Sequence, residues 1–91
     1  MIGRTSRNIL STVTNGITAS VTQTQGQGAL VSQINEVSVV ANINDSVTLP
    51  SATPGFKITI INDGANLLQI FPASDDNLGN GVNASSVLEV N

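Results

Sequence analysis

The chain has 91 residues, enough for one small domain, with three basic residues, six acidic residues, no His and no Cys. That inventory excludes a disulfide framework, a thiolate or imidazole metal site and a His-based triad. It also excludes the basic stripe that duplex DNA requires, and two Phe with no Trp or Tyr leave little for stacking bases or sugars.

No apolar run approaches the roughly 20 residues of a membrane span. Residues 1–20 lack the continuous apolar stretch of a signal peptide. Residues 1–16, MIGRTSRNILSTVTNG, are polar, hold both arginines and end in the turn dipeptide Asn15-Gly16. They read as an extended N-terminal arm ahead of a β domain at 17–91. Ile2, Arg4, Arg7, Ile9, Leu10 and Val13 are its candidate docking residues. An arm that adds a strand to a neighbour's sheet edge would bury the apolar ones. An ordinary frayed end is the other reading.

Ile17, Ala19 and Val21 alternate with Thr18, Ser20 and Thr22, so 17–23 is a predicted strand. Residues 25–28 form a loop, and 29–31 a short strand. Leu30, Ile34 and Val37 also fit helical spacing, which leaves that window open. Residues 37–40 read as strand, 42–45 as turn and 46–49 as strand. The most informative stretch follows. In 56–61, Phe56, Ile58 and Ile60 share one face, with Lys57 and Thr59 on the other. Asn62-Asp63-Gly64 reads as a tight turn with Gly64 at positive φ, and 67–71 as the return strand of a hairpin. Ile58, Ile60, Leu68 and Ile70 are its expected buried residues, with Phe56 and Phe71 left open. Residues 73–81 are dense in turn formers, and 86–90 is a last strand. Short strands with turn signals every 8–12 residues or so predict an all-β fold, a small sandwich or barrel of short antiparallel strands. No repeat of fixed period is visible.

Little in the chain points to chemistry. Asp75, Asp76, Asn77 and Asn80 gather oxygen ligands of the kind Ca²⁺ prefers, but without the spacing of an EF-hand. A surface turn is the better reading. Asn44-Asp45-Ser46 and Asn83-Ala84-Ser85 match the glycosylation sequon, a short pattern that recurs by chance. Gly26 and Gly28 do not make a dinucleotide fingerprint. The expectation is a protein that is not an enzyme and needs no cofactor. A small hydrolase is the least favoured alternative. Because so short a chain buries a small core and has no disulfide or metal to help, oligomerisation is inferred by elimination.

Four segments carry a resemblance: VSQINEV at 31–37, DSVTLP at 45–50, ITIINDGAN at 58–66 and QIFPAS at 69–74. Together they resemble a family of small virion structural proteins of tailed bacteriophages, some of which are similar to capsid decoration or cement proteins. The resemblance spans residues 28–90. It implies a homotrimer on the outer capsid surface that bridges copies of the major capsid protein and stabilises the shell, with no nucleic-acid or membrane partner. Members continue past the position matching Val90 into another strand, which a partner chain would supply here. The runner-up is a trimeric tail-fibre, spike or baseplate module that binds a receptor or carbohydrate.

Overall fold

The computed structural model describes residues 12–91. Its strands are β1 (Val13–Thr18), β2 (Ile34–Val39), β3 (Ser46–Thr48), β4 (Thr59–Asn62), β5 (Leu68–Phe71) and β6 (Ser86–Leu88). No helix occurs among the described residues. The expected all-β class holds. In the ambiguous window around Leu30 to Val37 the strand begins at Ile34, because Ile34, Val37 and Val39 are β-branched and favour a pleated surface over a helix, and the short strand expected at 29–31 is reduced to a single bridge from Ala29 to Thr48.

The strands form two sheets, in the orders β1-β2-β4 and β3-β5-β6. The pairs β1–β2, β2–β4 and β3–β5 are parallel; only β5–β6 is antiparallel. This corrects the expected antiparallel pairing. Parallel neighbours need a long crossover between them. The chain provides it by passing through the other sheet: from β2 to β3, back to β4, then on to β5. From β2 to β5 the chain thus coils, alternating between the two sheets.

Register gives the length of each turn. Val13 pairs with Ile34, 21 residues on, and Ile34 with Thr59, 25 residues on. In the second sheet Val47 pairs with Ile70, 23 residues on. Unequal turns of this kind leave no fixed period in the sequence.

The expected hairpin is also corrected. β4 and β5 do not pair with each other; they belong to different sheets. Asn62 makes the corner between them. Its buried side chain accepts the Gly64 N–H at 3.0 Å and donates to the carbonyls of Asn66 at 2.9 Å and Leu88 at 3.0 Å. Gly64 is not at positive φ. It is glycine because of close approach: a β-carbon there would lie 2.6 Å from Val40 Cγ2 and 2.7 Å from Val40 N. The turn chemistry of Asp-Gly was therefore the wrong reason for the right residue.

Ala19, Leu30, Val37, Val40, Val47 and Leu68 form the core between the sheets, with Ile17, Leu49, Ile60, Ile70 and Leu88 packed against them. Of the four residues expected inside, Leu68 is fully buried, Ile60 and Ile70 are partly buried, and Ile58 lies half-exposed at a groove. Phe56 is exposed and Phe71 half-buried. The core is small for a physical reason. At each corner backbone groups turn inward, and polar side chains occupy interior positions to satisfy them. Asp45, fully buried, accepts from Gln23 Nε2 at 3.0 Å and from the Asn42 backbone N–H at 3.1 Å. Thr48 accepts the Gly26 N–H and donates to the Gln27 carbonyl, which ties the 20–28 segment onto β3.

The line drawn between arm and domain, at residues 16 and 17, falls inside β1. Val13 to Gly16 belong to the sheet, and Gly16, with φ of 72°, lies where the β1–β2 register is irregular.

Candidate association surface

An apolar concavity lies beside the second sheet, where two loops leave parallel strands. Pro50 follows β3 closely and Pro72 follows β5 directly; neither has an N–H to extend a ladder, so both loops turn away at that level. The first loop then reverses at Pro54-Gly55, with Gly55 at φ 81° and the Phe56 N–H bonded to the Thr53 carbonyl at 3.0 Å. The second loop turns at Ala73, whose carbonyl accepts the Asp76 N–H at 2.9 Å. Between them is a groove of about 250 Å³ with Leu49, Phe56, Ile58, Pro72 and Leu78 in its walls. Phe56 is 44% exposed and Leu78 39%.

One carboxylate lines this groove. Asp76 Oδ2 accepts the Ala52 N–H at 2.7 Å, so the same side chain clamps the two loops together and places negative charge beside the apolar walls. Its neighbour Asp75 is exposed, with φ of 69°, and its N–H is held by Asn83 Oδ1 at 2.6 Å.

The oxygen-rich loop is organised by its own backbone. Asn77 Oδ1 accepts from the N–H groups of Gly79 and Gly81, and Asn80 Nδ2 donates to the Ser85 carbonyl. Among the described residues no group of three His, Cys, Asp or Glu is placed to hold a metal ion. Glu36 accepts the Gly16 N–H at 3.2 Å and Asp63 accepts from Asn91 at 3.2 Å, so these carboxylates also serve local structure.

Of the candidate docking residues, Val13 opens β1, pairs with Ile34 and is 54% exposed. Ile2, Arg4, Arg7, Ile9 and Leu10 lie outside the described residues. Sequence reasoning missed the groove. Its signals were present as Pro50, Pro54 and Pro72 beside Phe56 and Ile58, but only parallel winding brings the two loops side by side. Val21, Val31, Val39, Ile43, Val82, Val87 and Val90 add further exposed apolar side chains.

No known protein family, curated protein or solved structure matches the chain.

Proposed function

We propose that this chain is a non-enzymatic structural protein of a tailed-phage virion, a capsid decoration or cement protein that binds the head as a trimer. The observation that carries an associating role is the apolar surface. Ten large apolar side chains are exposed among the described residues, on strands β1, β2 and β6 and on the loops. Surface of that kind gains free energy when a partner covers it. The virion setting rests on the resemblance of the segments at 31–37, 45–50, 58–66 and 69–74. The groove is compatible with this role: apolar side chains dominate it, and its one carboxylate is bonded to backbone.

The partners are then the major capsid protein and other copies of this chain, on the outer surface of the head. The segment before β1, with Ile2, Arg4, Arg7, Ile9 and Leu10, supplies contacts between subunits. Each bound copy adds interface that only the assembled shell offers, so binding stabilises the shell by mass action, and several weak contacts act together. A second reading, a tail-fibre or spike module, is favoured by the parallel winding, which adds length along one axis.

Fractionating particles into tailless heads and free tails separates the readings. High copy number in heads supports decoration; presence in tails alone supports the second reading. Absence from both overturns the virion assignment.

A further inference from the structure

We propose that the groove between the 50–58 and 72–78 loops receives the segment 2–10 of a second copy of this chain. The inference rests on the reading of the chain as a self-associating structural protein, and names what one of its surfaces holds.

Charge carries the choice of occupant. All six acidic residues follow β1, whereas two of the three basic residues, Arg4 and Arg7, precede it. The body is thus acidic and the segment before it basic. At the groove the acid is Asp76, with Asp75 beside it. Asp76 already accepts one backbone N–H, and a carboxylate has room for the further donors that a guanidinium brings in a fork. The segment also matches in apolar character. Ile2, Ile9 and Leu10 are apolar and flank the two arginines. The groove offers Phe56 and Leu78 partly in water, and covering them adds apolar burial to the ion pair.

The segment joins the body at Val13 and the 50–58 loop enters β4 at Thr59; both residues pair with Ile34, so segment and groove loop lie at the same end of the first sheet, on its two outer strands. The reading as a self-associating chain puts the segment in a neighbour's groove, and a segment of one copy held in a groove of the next is a head-to-tail contact. Such contacts close into a ring when the rotation between copies suits, and three copies give the expected trimer.

Sedimentation of purified protein at micromolar concentration, without capsids, tests this. Wild type is expected to be a trimer. The pair Arg4→Glu/Arg7→Glu and, separately, Phe56→Ser should each weaken association at least ten-fold and leave monomer, with far-UV circular dichroism unchanged. Asp76→Asn, which keeps an acceptor for the Ala52 N–H, should weaken association and flatten its dependence on salt. Leu78→Ser is the second groove variant should Phe56→Ser unfold. Mixing the arginine variant with the groove variant should restore a heterodimer, since one keeps a sound groove and the other a sound arm. Three results overturn the inference: a wild-type monomer, a trimer indifferent to the arginines, or a trimer lost with the arginines yet indifferent to the groove. A monomer destabilised by both sets places the segment in its own chain's groove and equally overturns it. Failure of a normal trimer to fractionate with heads or tails refutes the virion assignment instead, and leaves this contact standing.

Discussion

Gly64→Ala is the sharpest test of the corner that joins the two sheets. The added β-carbon would lie 2.6 Å from Val40 Cγ2, 2.7 Å from Val40 N and 2.9 Å from Val40 Cβ. Val40 cannot swing aside, since it is only 1% exposed and belongs to the core. The contact with its backbone N also survives any change of rotamer. Either the corner shifts, straining the 3.0 Å bond from the Gly64 N–H to Asn62 Oδ1, or Val40 leaves the core. Overpacking of this kind costs about 1–3 kcal/mol. A loss of about 2 kcal/mol lowers the urea midpoint by roughly 1–2 M when m is about 1–2 kcal/mol/M. A left-handed turn glycine would behave differently, because Asn tolerates that conformation and would substitute better than Ala. Here Asn, being larger, should be worse than Ala. The double variant Val40→Ala/Gly64→Ala should lose less than the sum of the two singles, with a coupling of about 0.5 kcal/mol or more. A Gly64→Ala protein within about 0.5 kcal/mol of wild type, or Gly64→Asn more stable than Gly64→Ala, would refute the close-approach argument.

Leu68→Ala should cost about 2–5 kcal/mol by urea denaturation, since Leu68 is fully buried, and Ile60→Ala less, since Ile60 is only partly buried; the reverse order would move the core toward β4. Asn62→Ala leaves the Gly64 N–H and two carbonyls without their side-chain partner, at about 1–3 kcal/mol for each that stays buried and unpaired. A neutral Asn62→Ala would show that the corner does not depend on that side chain. Asp45→Ala should likewise destabilise, because Gln23 Nε2 and the Asn42 N–H lose their acceptor; protection from hydrogen exchange at Asn42 reads this directly. Phe56→Ser should leave the unfolding free energy of the isolated subunit within about 0.5 kcal/mol of wild type, as an exposed side chain outside the core cluster should.

Alternation and turn chemistry in the sequence were enough to determine the all-β class, the turn at 42–45 and the strands within 46–49, 67–71 and 86–90. Composition alone ruled out disulfide, thiolate-metal and His-based chemistry. These are local properties, set by side-chain period and by the φ preferences of a few residues. What the strands pair with is not local. The 56–61 and 67–71 runs flank Asn-Asp-Gly as a hairpin would, yet Asn62 spends its hydrogen bonds on the carbonyls of Asn66 and Leu88 and on the Gly64 N–H, and so turns a corner between sheets. Parallel pairing joins residues more than twenty positions apart, at unequal spacings of 21, 23 and 25, so no periodicity announced it. The need for glycine at 64 came from Val40, which is distant in sequence and touches Gly64 only once the coil is wound. The groove has the same origin: Pro50, Phe56, Pro72 and Leu78 are scattered along the chain, and only the stacking of successive turns gathers them into one apolar wall beside Asp76.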